Sequence, residues 1–81
     1  MEQLNAGTAI GAGLALSDMT MNDLWVGYLA VGGTHSLTQL SDYTAGTTTW
    51  TDLEHDFAAQ ALNDYFTDLG LDHPVAYARE L

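Results

Sequence analysis

The sequence predicts an all-α fold, a small three-helix bundle with a flexible N-terminal arm and a packed C-terminal tail. Three observations carry that prediction. Helix-start signals of one design occur three times, at "TMND" (Thr20 to Asp23), "SLTQ" (Ser36 to Gln39) and "TDLE" (Thr51 to Glu54). In such a capping box the hydroxyl accepts from the backbone N–H three residues on, and the acidic or amide side chain there reaches back to the cap. Each start is followed by a glycine stop: "VGG" at residues 31–33, then Gly46, then Gly70. Glycine enters the left-handed C-terminal conformation without steric cost. Between start and stop, apolar residues recur with a helical period.

Residues 1–18 form the arm in this reading, and residues 19–81 the helical domain. The arm is glycine-rich and shows no amphipathic period. Its run "AGTAIGAGLAL" is too short for a membrane span, which needs ~20 apolar residues. Only Glu2 precedes the run as a charge, where a secretory signal carries basic residues, so a cytoplasmic protein is expected.

The first predicted helix, about residues 21–31, carries the stripe Met21, Leu24, Trp25, Tyr28 and Leu29. The second, about 37–45, places Leu37, Leu40 and Tyr43 on one side. The third, about 52–69, is the longest. Ala58, Ala61, Leu62, Tyr65, Phe66 and Leu69 form its stripe, and Leu53 and Phe57 widen it to an arc of about 220°. A surface helix needs little more than ~100°. The third helix must therefore be covered on two sides, by the other helices or by a second copy, and a homodimer through it is expected. Gln60, Asn63 and Thr67 are expected on its wet side. Beyond Gly70, Pro74 prevents resumption of the helix and forces an extended approach at His73. Val75, Tyr77 and Leu81 are expected to pack back on the bundle.

Charge narrows the function classes. Eleven acids face a single base, Arg79, for a net charge of −10. Binding along nucleic acid needs cationic contacts to phosphates, and this chain has almost none. An anionic membrane surface would repel it. The short second helix between two longer ones has the outline of a helix-turn-helix, but its charge has the wrong sign for DNA. The charge favours cationic partners, a basic protein surface or metal ions at high concentration; solubility or adaptation to a salty cytoplasm is the competing reading. Cysteine is absent, which excludes disulfides and thiolate metal sites.

Catalytic signals are thin, and no catalytic residue, metal or cofactor is assigned. His55 lies between Glu54 and Asp56 with Asp52 one turn back, a spacing that suits a helical metal site. Acids are so common here that the match carries little weight, and a solvated first helical turn is expected instead. His35 reads as a loop residue, and His73 as a hydrogen-bonding anchor for the tail. Ser17, Ser36 and Ser41 have no base and orienting group nearby in sequence. "GTAIGAG" lacks the lysine of a phosphate-binding loop. Trp25, Tyr28, Trp50, Phe57, Tyr65 and Phe66 read as core, with Trp50 the exception because it lies in a loop before a cap.

Asp64, Asp68 and Asp72 stand at i, i+4 and i+8 near the end of the third helix. Like charges at that spacing cost ~0.2–0.5 kcal/mol per pair. The negative helix C-terminus adds ~0.3–1 kcal/mol. These three aspartates are the candidate partner-binding residues, since local rules are often broken at functional sites.

The segments "MNDLWVGYLAVGG" and "EHDFAAQALNDYFTDLGLDHPVAYAREL" resemble a group of small, largely uncharacterised actinobacterial proteins. The resemblance covers about 60 of the 81 residues and leaves out the first 18. It is carried by Asp23, Leu24, Trp25, Tyr28, Gly32, Gly33, Glu54, His55, Asp56, Ala61, Leu62, Asn63, Gly70, Pro74 and Tyr77. It implies a bacterial, cytoplasmic, helical and regulatory protein, and assigns no functional residue. Together these readings lead to a non-enzymatic protein–protein interaction module with a cationic partner. The alternatives are a nucleic-acid mimic that blocks a basic DNA-binding cleft, and a metal protein or enzyme centred on His55.

Overall fold

The computed structural model describes residues 6–71 and 74–80 of the chain. It contains four helices: α1 (Ala6–Leu16), α2 (Met21–Ala30), α3 (Leu37–Thr44) and α4 (Asp52–Asp68), with a closing 3-10 turn at Ala78–Glu80. The all-helical class stands, and no strand occurs among the described residues. The expected count of three helices is corrected to four.

Local chemistry sets the ends of α2, α3 and α4. The Thr20 and Ser36 hydroxyls accept from Asp23 N–H and Gln39 N–H, and the Asp23 and Gln39 side chains accept from the cap N–H groups in return. Both boxes are complete. At α4 only half of the device forms. Thr51 caps Glu54 N–H, but the Glu54 carboxylate turns away to Tyr28 and Thr34. All three glycine stops adopt positive φ: 119° at Gly32, 84° at Gly46 and 84° at Gly70. Each closes a Schellman pair. Gly33, Thr47 and Leu71 donate to the carbonyls of Tyr28, Asp42 and Phe66, five residues back.

Within the expected arm, Ala6–Leu16 is a packed helix. In α1 the buried residues are Gly7, Ile10 and Gly13, one narrow face. A Cβ at Gly7 would lie 1.9 Å from the Tyr43 carbonyl oxygen, so only glycine lets the backbones of α1 and α3 approach this closely. Gly13 opens the same face to Val75 and Leu62. Glycine lowers helix propensity by ~1 kcal/mol relative to alanine, and here close packing outweighs that loss.

α4 is the central element, touched by α1, α2 and the closing turn. α2 runs antiparallel to it: Asp18 N–H bonds the Tyr65 hydroxyl near one end, and Tyr28 meets Glu54 near the other. All four helices and the tail send residues into one core: Ile10, Leu24, Tyr28, Leu40, Tyr43, Leu62, Phe66 and Val75. Most of the wide apolar arc of α4 is thus covered within the chain, while Leu53 and Leu69 at its edges stay exposed. Of the residues expected on its wet side, Gln60 and Thr67 are exposed, but Asn63 is buried. No helix among the described residues is long and apolar enough to cross a membrane.

Close packing at Gly7 yields a test of sign. Propensity alone predicts that Gly7→Ala stabilises the protein by ~1 kcal/mol. The fold predicts destabilisation by at least ~1–3 kcal/mol, because the methyl group displaces α1 from the Tyr43 carbonyl. Urea unfolding of the variant against wild type reads the difference.

Candidate functional site

Asp64 and Asp68 lie one turn apart at the exposed, C-terminal end of α4. Among the described residues neither side chain makes a hydrogen bond. Asp72, the third residue of the proposed row, lies outside the described residues. Asp18, Asp23, Asp42 and Asp52 are exposed as well, so acidic side chains face solvent along the α1–α2 junction, α2, α3 and α4. The row is one end of a broadly anionic surface.

The opposite, buried side of α4 carries the most organised polar chemistry. His55 is only 1% exposed, so the expected solvated first turn is corrected. Its Nε2 lies 2.9 Å from the Ala76 carbonyl oxygen, and a carbonyl can only accept, so Nε2 donates. Its Nδ1 then accepts from the Tyr43 hydroxyl at 2.7 Å. Two turns further on, Asn63 pairs with both polar atoms of the Val75 backbone. Its Nδ2 donates to the carbonyl and its Oδ1 accepts from the N–H, each at 2.9 Å. Asp56 Oδ1 accepts from Ala78 N–H at 2.7 Å. These three side chains hold the tail antiparallel to α4. The tail packs as expected through Val75, while His73 and Leu81 lie outside the described residues.

The metal-site geometry that spacing suggests is not assembled. Both ring nitrogens of His55 are engaged, Glu54 serves Tyr28 and Thr34, and Asp56 serves Ala78. Among the described residues no three His, Asp or Glu converge as a metal would require. The glycine-rich run "GTAIGAG" is part of α1 and not a phosphate-binding loop.

Aromatic residues join the two ends of this seam. Trp50 stacks on Tyr43 at 4.3 Å and 3°, and on His35 at 4.4 Å and 25°. Tyr28 stacks on the same side chain at 5.2 Å and 26°, so three rings pack against Trp50. His35 is therefore more than a loop residue, and its carbonyl also accepts from Trp25 Nε1 at 3.0 Å. Trp50 is half-buried, between the core and the surface. The Tyr28 hydroxyl accepts from the Thr34 and His35 N–H groups at 3.0 and 2.9 Å and donates to Glu54. Burial raises the Tyr28 phenol, aided by that carboxylate. Burial works to raise Glu54 too, but hydrogen bonds from Tyr28 and Thr34, with His35 nearby, hold its carboxyl below the ordinary 4.5. A depressed carboxyl stabilises the fold above its ordinary value, and that contribution is lost as pH falls through the folded value.

Sequence reasoning placed neither His55 nor Asn63 in the interior, although a signal existed for both. Asn63 stands between Ala59 and Phe66 at i−4 and i+3, and His55 has Ala58, Ala59 and Leu62 at i+3, i+4 and i+7. Polar residues with apolar neighbours at helical spacing sit inside the buried stripe. Comparison of the chain with protein-family models, with curated proteins and with solved structures finds no match in any of the three.

The seam predicts an alkaline limb. Burial, with the charges of Asp52 and Asp56, pushes the Tyr43 phenol up from 10.0 to about 12. Between those values the unfolded chain releases the proton while the folded protein keeps it, so stability falls as pH rises across that window. Tyr43→Phe should be less stable at neutral pH by ~1 kcal/mol, having lost the bond to His55. Its stability should also fall less steeply than wild type between pH 10.0 and about 12, as read by urea midpoints. Glu54→Gln should flatten the acid limb in the same assay.

Proposed function

We propose that this protein is a non-enzymatic interaction module whose anionic surface binds a cationic face of another protein, with a regulatory outcome. The observation that carries the reading is the pair Asp64 and Asp68. They stand exposed in the last turns of α4, where the helix C-terminus and their mutual repulsion disfavour them, and they support no other part of the described fold. A net charge of −10 supports the same reading, since a field of one sign steers oppositely charged partners into encounter. The buried polar groups are engaged in holding the fold together, which favours binding over catalysis. The resemblance to small actinobacterial proteins supports a bacterial, cytoplasmic setting for this activity. Asp72 belongs to the proposed row by its spacing in the sequence alone.

Removing the charges at Asp64 and Asp68 tests the reading. The Asp64→Asn, Asp68→Asn variant should gain ~0.5–1 kcal/mol in stability, because repulsion and the dipole conflict are relieved. Its association with an arginine-rich peptide should slow, and added salt should mimic that loss by screening. Asp18→Asn, Asp42→Asn carries the same change in net charge at exposed sites elsewhere and serves as the control. A greater loss for the α4 variant locates the binding face. Equal losses would mean that the surface attracts cations without a defined site.

A further inference from the structure

We propose that the groove along α4, bounded by α1, is a binding site for an extended peptide, filled in this chain by its own residues 74–78. The bonds that α4 makes to this segment are directed at backbone atoms. Asn63 pairs with the N–H and the carbonyl of Val75, His55 donates to the carbonyl of Ala76, and Asp56 accepts from the N–H of Ala78. None of them reads a tail side chain. Double pairing by Asn63 offers an extended strand what a neighbouring strand would offer, which is how many grooves hold peptides regardless of sequence.

One tail side chain is an anchor. Val75 is 4% exposed, while Pro74 and Arg79 are exposed and Tyr77 is half-buried. The space for Val75 exists because residue 13 is glycine: a Cβ there would lie 2.8 Å from the Val75 side chain and 3.3 Å from Leu62. The ligand class follows: an extended segment with a small branched aliphatic anchor and, two residues on, an aromatic side chain that packs at the edge of the core as Tyr77 does.

Ordinary core packing would be served by apolar side chains on α4. Instead, the two buried polar side chains among the described residues, His55 and Asn63, both bond the tail. An empty groove trades these fixed bonds for bonds to water and exposes the apolar pocket that Val75 fills between Gly13 and Leu62, a demand that an occupant meets. Any segment that presents its backbone in this register meets the demand. The chain's own tail competes for the groove at an effective concentration of the order of millimolar, set by its tether. This inference goes beyond the anionic-surface reading and does not depend on it.

The test uses the full chain with Val75→Asp, which keeps α4 intact and denies the anchor its pocket, and a fluorescent peptide of sequence PVAYARE, residues 74–80. By anisotropy, the variant should bind the peptide saturably, roughly ten-fold or more tightly than wild type, whose own tail competes. Adding Asn63→Ala should abolish binding. In wild type, hydrogen exchange should show the Val75 amide opening more readily than the Leu62 amide. A folded variant that ignores the peptide would overturn the proposal. So would a variant that unfolds, or Val75 and Leu62 amides that exchange only together, because the tail would then be an inseparable part of the core.

Discussion

α4 presents more apolar surface than two neighbouring helices can cover, and the other elements are arranged to cover it. α2 takes one side with Leu24 and Tyr28. α1 takes another, although its sequence is poorly suited to helix formation. The tail covers a further strip through Val75, and Leu53 and Leu69 stay exposed at the rim. In a chain this short, burying enough apolar area to offset conformational entropy is difficult. Close backbone approach is one remedy. The glycine face of α1 brings a whole helix against α3 and α4 without long side chains between them, so a sequence of low helix propensity becomes helical by tertiary contact.

The second consequence is polar. A tail without regular pairing brings backbone N–H and carbonyl groups against a buried helix face, and such groups must be satisfied. Asn63, His55 and Asp56 satisfy them. Tyr43 in turn satisfies the second nitrogen of His55 and stacks on Trp50, which links the tail through α4 to the loop before it. Among the described residues no buried side-chain nitrogen or oxygen lacks a partner. The acids divide accordingly. Glu54 and Asp56 serve the fold, whereas Asp64 and Asp68 are left to the surface.

How much of this could be read from the residues follows from the range of the physics. Caps and stops are local devices, and Thr20, Ser36, Gly32, Gly46 and Gly70 act as their types dictate. The boundaries of α2, α3 and α4 were legible for that reason. α1 was not, because its helicity comes from packing against Tyr43, Leu62 and Val75, far away in sequence. Its glycines at residues 7 and 11 are spaced as close-packing helices space them, but the absent apolar stripe read as an arm. Glu54 was assigned to its own cap, and a stronger non-local set of donors took it. Asn63 was assigned to water by residue type, although its helical neighbours placed it inside. The exposed pair Asp64 and Asp68 is legible as a local conflict, because repulsion at i, i+4 and the helix terminus are local effects.

Coverage of α4 depends on α1 being a docked helix and not an arm. Native-state hydrogen exchange on the backbone amides of α1 tests this most directly. If the helix is docked, the amides from Ile10 to Leu16 exchange slowly, with opening free energies approaching those of the core of α4. If they exchange at the rates of an unstructured chain while α4 remains protected, α4 is covered by something other than α1, and the account is wrong.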